Sequence, residues 1–229
     1  MSVSIIEGNL FDSCCQTLVN TVNCVGVMGA GIALECRLRY PEMYARYVKL
    51  CNEKQIAIGK LWIYKATDNR WILNFPTKKD WKYPSKKDYL HEGLKKFAAT
   101  YQSKGIKTVA FPVLGADRGR IPTGESLQIM LTYLDPLELE VEIYLYDPRA
   151  PDKLFEDTKR RLLSQTPDVI CRKSGLRKNY VSKVIAALQQ PSITQLNQLA
   201  KVKGIGIRTV EKVYQLAREE TTAENKNTV

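Results

Sequence analysis

The chain has 229 residues, of which 44% are apolar, and a formal net charge of +11. This length and apolar content suffice for one sizeable α/β core and a smaller second unit, which excludes an intrinsically disordered chain. No run approaches the roughly eighteen apolar residues of a membrane span, and the N-terminal sequence MSVSIIEGN lacks the pattern of a signal peptide. We therefore expect a soluble, unexported, cytoplasmic protein.

The six cysteines show no CxxC spacing, and the chain has a single histidine. Structural zinc sites need clustered Cys and His ligands, and disulfide frameworks belong to oxidising compartments. We therefore expect neither a metal site nor a disulfide.

Short β-branched runs alternate with longer segments of helical period along the first 147 residues. The predicted strands are 3–6, 17–24, 60–66, 70–77, 108–114 and 141–147, and the predicted helices are 30–53, 86–103 and 123–134. Such alternation predicts an α/β fold with a mixed sheet flanked by helices. In sheets of this kind, ligands bind in the loops at the carboxyl ends of the strands.

The sequence DPRAP at 147–151 breaks this pattern and marks a domain boundary. Beyond it the pattern is helical throughout, with predicted helices over 152–164, 167–173, 177–188, 192–202 and 206–219. We therefore predict a first domain over 1–148, a small all-α domain over 152–220 and a frayed polar tail over 221–229.

The positive charge is concentrated after this boundary. Residues 149–229 carry sixteen Lys or Arg against eight Asp or Glu, a net charge of +8, whereas the first 148 residues carry only +3. A local basic excess is typical of a protein with a polyanionic partner. A solvated lysine-rich helical surface is the alternative interpretation.

Two glycine-rich loops follow predicted strands. VGVMGAG occupies 25–31 and LGADRGR occupies 114–120, and each precedes a predicted helix. Glycines let the backbone approach a ligand closely, and a helix N-terminus offers unpaired N–H groups to a phosphate. The pair predicts a diphosphate site, although a single glycine-rich loop is more often a plain tight turn.

These loops belong to a longer series of motifs. GNLFD at 8–12, VNTVNCVGVMGAGIA at 19–33, NFPTKKDW at 74–81 and FPVLGADRGR at 111–120 follow the order and approximate spacing of macrodomains. Over residues 1–147 the chain therefore resembles the macrodomain family, in the branch of the terminal ADP-ribose glycohydrolases and the DarG-type DNA ADP-ribosyl hydrolases. The resemblance implies a domain that binds ADP-ribose and removes it from a modified macromolecule.

The resemblance also implies a set of ligand contacts. Asn9 and Leu10 would line the adenine pocket, Tyr146 would stack on the base, and Asn23 would lie near the distal ribose. Many macrodomains have Asp in place of Asn9, and an amide can both donate and accept the hydrogen bonds of adenine. The remaining predicted contacts are Gly29, Ala30, Gly31, Thr77, Gly115, Ala116, Asp117, Arg118 and Gly119.

Lys78 is the candidate catalytic residue. In the branch that the chain resembles, a lysine at the matching position is implicated in attack at the anomeric carbon of ribose. A lysine with a lowered pKa can act as a nucleophile, and its charge can instead stabilise the transition state. Both roles stay open, and the neighbouring Lys79 is the weaker candidate.

Gly119 departs from the pattern of the protein-directed terminal glycohydrolases, which have an acidic residue there. The DarG-type pattern has glycine, and Asp117 lies two positions earlier. The resemblance therefore favours ADP-ribosylated DNA over ADP-ribosylated glutamate or aspartate as the substrate.

Residues 167–203 resemble the helix-turn-helix of phage-repressor-like proteins. In this interpretation a recognition helix begins with five candidate nucleic-acid-binding residues: Arg177, Lys178, Asn179, Tyr180 and Lys183. The overlapping segment 199–213 resembles a helix-hairpin-helix, whose turn at 204–206 would present backbone amides to a phosphate. The third interpretation is a helical cap that packs on the first domain or on a partner protein.

The resemblance, together with the basic tail, implies an ADP-ribosyl hydrolase of DNA that is tethered to a DNA-contacting helical tail and acts as the antitoxin of a cognate toxin. The predicted reaction needs no cofactor. Three alternatives remain open: a non-catalytic ADP-ribose reader, a phosphatase or deacetylase of small ADP-ribose derivatives, and an ADP-ribose-sensing DNA-binding regulator.

Overall fold

The computed structural model describes the backbone of residues 3–226 and the side chains of residues 3–218. The chain forms two compact units, the first ending at Tyr146 and the second beginning at Asp147. Among the described residues, no helix is long and apolar enough to cross a bilayer. The tail predicted over 221–229 lies outside the residues whose side chains are described.

The first unit is built on a six-stranded sheet whose strands are rich in β-branched and aromatic residues. The strands are β1 Val3–Gly8, β2 Thr17–Val22, β3 Trp62–Lys65, β4 Trp71–Pro76, β5 Thr108–Pro112 and β6 Glu140–Tyr146. Their order across the sheet is β1-β6-β5-β2-β4-β3. All neighbouring pairs are parallel except β3 and β4, which confirms the predicted mixed sheet.

Four helices flank this sheet: α1 Gly31–Arg39, α2 Pro41–Asn52, α3 Lys87–Thr100 and α4 Thr123–Leu134. The single helical segment predicted over 30–53 is wrong, because the chain breaks at Tyr40 between α1 and α2. Pro41 has no N–H with which to continue α1, whereas the first turn of a new helix accommodates proline.

Helices cover both faces of the sheet. Val19 and Leu73 pack into one buried cluster with residues of α3 and α4, and Leu18 and Ile72 pack into another with residues of α1 and α2. Because successive side chains of a strand point to opposite faces, neighbouring residues serve different clusters. With both faces of the sheet covered, a ligand can reach the sheet only at the loops that follow the strand ends.

The second unit contains α5 Lys153–Leu163, α6 Pro167–Ser174, α7 Lys178–Leu188 and α8 Ile207–Lys226. The expectation of further helices is confirmed. The α-helix predicted over 192–202 is wrong in type, since the chain forms a short 3-10 helix at Leu196–Lys201. Reciprocal side-chain and backbone hydrogen bonds of Gln195 and Gln198 cap its start.

The segment after the boundary is bound firmly within the second unit. Asp152 is 1% exposed, and its carboxylate accepts from the N–H of Leu154 at 3.0 Å and from that of Leu196 at 3.3 Å. The buried Gln195 donates to the carbonyl of Ala150 at 3.1 Å. These bonds tie the start of α5 to the 3-10 helix.

Candidate functional site

The carboxyl ends of five parallel strands meet along one edge of the sheet. β6 ends at Tyr146. The segments that follow β1, β5, β2 and β4 contain Asn9, loop 2 (residues 113–121), loop 1 (residues 23–31) and Lys78, respectively. Every residue predicted to contact ADP-ribose lies at the end of one of these strands or in the segment that follows it.

Loop 1 is shaped by the side chain of Asn23, which is 6% exposed. Its Oδ1 accepts from the N–H of Val25 at 3.0 Å and of Val27 at 3.3 Å, and its Nδ2 donates to the Val27 carbonyl at 2.5 Å. The Tyr47 hydroxyl on α2 donates to the Asn23 carbonyl at 2.7 Å. Asn23, predicted near the distal ribose, is thus an internal brace of loop 1.

Loop 1 leads into the N-terminus of α1, where Ala30 at the N-cap makes no side-chain hydrogen bond to the helix. The first-turn N–H groups therefore lack the acceptor that a capping side chain would supply. Gly29, Ala30 and Gly31 are exposed, and a Cβ at Gly29 would meet only the Val27 side chain, at 3.8 Å. This arrangement leaves backbone amides open to an anion.

The glycines of loop 2 are packed tightly against neighbouring side chains. Gly115 has a φ of +66°, and a Cβ there would lie 2.9 Å from Cδ1 of Ile121 and 3.1 Å from Cδ1 of Leu90. A Cβ at Gly119 would lie 2.7 Å from Oγ of Ser85, whose N–H also donates to the Gly119 carbonyl at 3.0 Å. The packing therefore disfavours any side chain at either glycine.

The two loops approach each other at Gly31 and Asp117. A Cβ at Gly31 would lie 3.9 Å from Oδ2 of Asp117, so the carboxylate faces loop 1. The next residue, Arg118, pairs with Asp117 at 3.8 Å, and both side chains are exposed. Asp117 and Arg118 thus place an acidic and a basic group at the exposed side of loop 2 that faces loop 1.

Lys78 extends from the end of β4 to loop 2. Its Nζ donates to the backbone carbonyl of Arg118 at 2.5 Å. Burial and the guanidinium groups of Arg120 and Arg118 lower the pKa of the Lys78 amine, and Asp117 opposes them. The lowered pKa increases the fraction of neutral, nucleophilic amine at a given pH.

Backbone hydrogen bonds hold the chain around Lys78. Thr77 N–H donates to the Val22 carbonyl at 2.9 Å, and Cys24 N–H donates to the Lys79 carbonyl at 3.2 Å. The Cys24 thiol donates to the Lys78 carbonyl at 3.3 Å, and burial raises its pKa to about 11. Cys24 is therefore a protonated structural thiol at neutral pH rather than a nucleophile.

Asn9 and Tyr146 lie at the opposite end of the edge, where Gly8 pairs with Tyr146 across β1 and β6. Oδ1 of Asn9 accepts from the Phe11 N–H at 3.1 Å, while its buried Nδ2 has no partner among the described residues. Leu10 is buried beside it, and Tyr146 is 57% exposed. A buried donor beside an exposed ring suits a purine base.

In the second unit, the predicted nucleic-acid-binding residues lie at the start of α7 and are exposed except for the half-buried Tyr180: Arg177, Lys178, Asn179, Tyr180 and Lys183. A Cβ at Gly204 would lie 2.7 Å from Nζ of Lys183. The start of α7 and the glycine turn therefore contribute to one surface, which the two motif interpretations share.

Three residues that shape the site escaped the sequence analysis. Tyr47 falls on a helical apolar pattern that indicates only core packing, and Ser85 lies in a polar segment typical of an ordinary loop. Arg120 was passed over as the end of a glycine motif, although its charge acts on Lys78. Only the folded contacts reveal the roles of Tyr47 and Ser85.

Comparison with known proteins adds independent findings. A family model described as Macro domain matches residues 19–130. A curated protein of Thermus aquaticus, named DNA ADP-ribosyl glycohydrolase, is 41% identical over 146 residues, covering 62% of this chain and 40% of that protein. The chain thus spans less than half the length of the curated relatives it matches.

Two solved structures agree with this match. The macrodomain of Thermus aquaticus DarG is 40% identical with a TM-score of 0.58, covering 64% of this chain and 98% of that one. Thermosipho africanus DarTG in complex with ADP-ribose is 34% identical with a TM-score of 0.61, covering 64% of this chain and 42% of that one. Because this chain covers nearly the whole of a DarG macrodomain at 40% identity, it belongs to the macrodomain family, in its DarG-type branch.

Proposed function

We propose that the chain is a hydrolase that releases ADP-ribose from ADP-ribosylated DNA. The proposal rests on the position of the Lys78 amine, which lies 2.5 Å from the Arg118 carbonyl of loop 2. Burial and two neighbouring arginines lower the pKa of this amine. A reader of ADP-ribose needs anion-binding loops, but it does not need an activated amine beside them. The amine therefore favours catalysis over binding alone.

The order of the loops across the sheet matches the order of groups in ADP-ribose. Asn9 and Tyr146 offer a base site at one end, loops 1 and 2 offer amides to the diphosphate in the middle, and Lys78 follows at the other end. Five neighbouring strands span about 19 Å, since adjacent strands lie about 4.8 Å apart. An extended dinucleotide-like ligand would thus place its distal ribose near Lys78.

In the proposed reaction, the neutral Lys78 amine attacks the anomeric carbon of the distal ribose, and the bond from that carbon to the DNA base breaks. The base takes up a proton as it leaves. Water then adds at the same carbon, releases the amine and yields free ADP-ribose, so that water is the only co-reactant consumed. The amides of loops 1 and 2 hold the diphosphate and fix the sugar against the amine.

Two features support DNA as the carrier of the ADP-ribose. The curated relatives are named DNA ADP-ribosyl glycohydrolases, and loop 2 has no room at Gly119 for the acidic residue of the protein-directed branch. The exposed basic residues at the start of α7 would add phosphate contacts that raise the local concentration of substrate. The cytoplasm, where the chromosome of a bacterium lies, is the proposed location.

A DNA ADP-ribosyltransferase must supply such a substrate, and we propose that the chain acts as the antitoxin of that enzyme. Wild-type protein would restore growth to cells that express the transferase, whereas Lys78→Ala would not. Equal rescue by both would point to neutralisation by binding instead of hydrolysis.

Release of ADP-ribose from three substrates tests the proposal: a singly ADP-ribosylated DNA oligonucleotide, a peptide ADP-ribosylated on glutamate, and O-acetyl-ADP-ribose. We expect rapid release from the oligonucleotide and little turnover of the other two. Turnover of O-acetyl-ADP-ribose alone would indicate an enzyme of small derivatives. Calorimetric binding of ADP-ribose without any turnover would indicate a reader.

The contribution of the helical unit is measured by the salt dependence of DNA binding. Changing Arg177 and Lys183 to Gln should weaken DNA binding and make the negative slope of log K against log salt shallower by about one for each phosphate that is no longer neutralised. Changing the exposed Lys153 and Arg160 of α5 to Gln is the matched control. Specific binding of one operator sequence that shifts with ADP-ribose would favour a regulator.

A further inference from the structure

The segment that follows the candidate nucleophile exposes two large aromatic rings. Trp81 is 52% exposed and Tyr83 is 67% exposed. Aromatic rings of this size are normally buried for most of their area, so two exposed rings within three residues require a reason. We call residues 79–87 the lysine–aromatic loop.

Lysines alternate with these rings. Lys79, Lys82 and Lys86 are exposed, and Nζ of Lys82 lies 5.7 Å from the centroid of the Trp81 ring. Lys87 differs, because it pairs with Glu125 at 2.6 Å. The loop therefore presents flat apolar surface and positive charge together, a combination that suits stacked bases joined by phosphates.

The backbone of the loop is held in one shape from both ends. The Asp80 side chain accepts from the Lys82 N–H at 3.0 Å, and the Asp80 carbonyl accepts from the Tyr83 N–H at 3.3 Å. Bonds from Cys24 N–H to the Lys79 carbonyl and from Ser85 N–H to the Gly119 carbonyl anchor it to loops 1 and 2. The rings are thus displayed on a preorganised turn.

We propose that the lysine–aromatic loop binds single-stranded DNA next to the modified nucleotide, with bases stacked on Trp81 and Tyr83 and phosphates paired with Lys79, Lys82 and Lys86. The proposal rests on the proposed function, because it assigns the nucleotides that flank the ADP-ribosylated base to this loop. The loop begins one residue after Lys78, which places the strand beside the reacting sugar.

Stacking on aromatic side chains makes a protein bind single-stranded DNA in preference to duplex DNA. The bases of a duplex are already stacked on one another and offer no free faces, whereas an unpaired strand can place its bases on protein rings. Lysine contacts to phosphates alone would not make this distinction, since both forms carry phosphates. If bases stack on Trp81 and Tyr83, the protein should therefore bind single-stranded DNA more tightly than duplex DNA.

The test compares the full chain with the double variant Trp81→Ala/Tyr83→Ala in binding an unmodified single-stranded oligonucleotide of about 12 nucleotides and its duplex form. We expect single-strand affinity to fall at least about tenfold, with duplex affinity changed less than about twofold. Trp81→Phe/Tyr83→Phe, which keeps two aromatic faces, should retain most of the single-strand affinity. Lys82→Gln/Lys86→Gln should weaken both forms more than the remote control Lys95→Gln/Lys104→Gln.

Two further measurements separate this proposal from the proposed function. Calorimetric affinity for free ADP-ribose should be the same in wild type and the alanine double variant, while kcat/KM for an ADP-ribosylated oligonucleotide should fall by about the same factor as single-strand affinity. If the wild-type protein released no ADP-ribose, the proposed function would be overturned. The affinity for the single-stranded oligonucleotide would still decide the role of the loop.

Three results would overturn the assignment of the loop. Unchanged single-strand affinity in the alanine double variant would leave the rings as a surface for another protein. An equal loss for single strand and duplex would exclude stacking. A matching loss of free ADP-ribose affinity would place the rings in the nucleotide pocket itself.

Discussion

The two glycine-rich loops of the site look alike in sequence but are held in opposite ways. Loop 1 is braced from within by the Asn23 side chain, and its exposed glycines have open space around them. In loop 2, the glycines instead lie against the side chains of Ile121, Leu90 and Ser85. The packing of the protein therefore disfavours side chains at the loop 2 glycines, whereas we propose that glycine at position 29 of loop 1 serves the approach of a ligand.

Because of this difference, substitutions in the two loops should affect ligand binding and fold stability to different degrees. A substitution in the open part of loop 1 should interfere with the ligand while the fold stays intact. A substitution at a packed glycine of loop 2 should first disturb the fold and thereby the ligand. Variants at Gly115, Asn23 and Gly119 test this contrast, and Arg120→Gln tests the charge that loop 2 places near Lys78.

Gly115→Ala should lower the free energy of unfolding by about 3 kcal/mol, because the added methyl group meets Ile121 and Leu90 and the residue has a φ of +66°. Gly29→Ala is the matched change in loop 1 and should alter that free energy by less than about 0.5 kcal/mol while weakening ADP-ribose binding. Denaturant unfolding and calorimetry measure both. Similar stability losses in the two variants would contradict the contrast.

Asn23→Ala should lower the free energy of unfolding by about 2 kcal/mol, since it removes the hydrogen bonds that the side chain makes with Val25 and Val27. Loop 1 would lose its shape, and ADP-ribose affinity should fall by about tenfold. Asn52→Ala, at the exposed end of α2, serves as the control. Full ADP-ribose affinity in Asn23→Ala would show that the ligand shapes the loop without this brace.

Gly119→Ala should lower the free energy of unfolding by about 1 kcal/mol, because its methyl group would meet the Ser85 side chain. Ser85→Ala removes a buried hydroxyl that has no partner among the described residues, so on its own it should cost little. Combined with Gly119→Ala, it should restore part of the lost stability. Strictly additive losses in this double-mutant cycle would show that the two residues do not interact.

Arg120→Gln should shift the pH dependence of kcat by less than one unit toward higher pH. The neutral Lys78 amine is the reactive form, and Arg120 lowers its pKa, so removing that charge raises the pKa and leaves less neutral amine at a given pH. The shift should shrink at high salt if Arg120 acts through charge. Lys49→Gln, an exposed charge change on α2, should leave the profile unchanged, and an unshifted profile in Arg120→Gln would show that this arginine does not tune the amine.

Most of the sheet and the outline of the site could be predicted from the sequence. Alternating β-branched runs mark the strands, and the parallel order carries Asn23, Lys78 and Gly115 to one edge wherever the exact strand ends fall. The break at Pro41 was missed because helical periodicity continues across it. The 3-10 turn at Leu196–Lys201 was missed because α and 3-10 helices differ mainly in hydrogen bonding over a few residues.

The supporting contacts of the site could not be predicted in this way. Ser85 meets Gly119 and Tyr47 meets Asn23 only after the chain has folded, and the members of each pair are more than twenty residues apart. Composition and spacing carry no signal for such pairs. The sequence likewise does not reveal that Trp81 is exposed, because its exposure depends on the folded turn at Asp80.

The most direct test of the proposed mechanism compares Lys78→Ala with Lys79→Ala on a singly ADP-ribosylated DNA oligonucleotide at saturating concentration. Lys78→Ala should lower kcat by a factor of about 10² to 10⁴ while its calorimetric affinity for ADP-ribose stays within a few-fold of wild type. Lys79→Ala, which removes a proposed DNA contact of the lysine–aromatic loop but leaves the Lys78 amine in place, should raise KM and keep kcat within a few-fold of wild type. Equal release by wild type and Lys78→Ala would contradict the central claim that this amine carries the reaction.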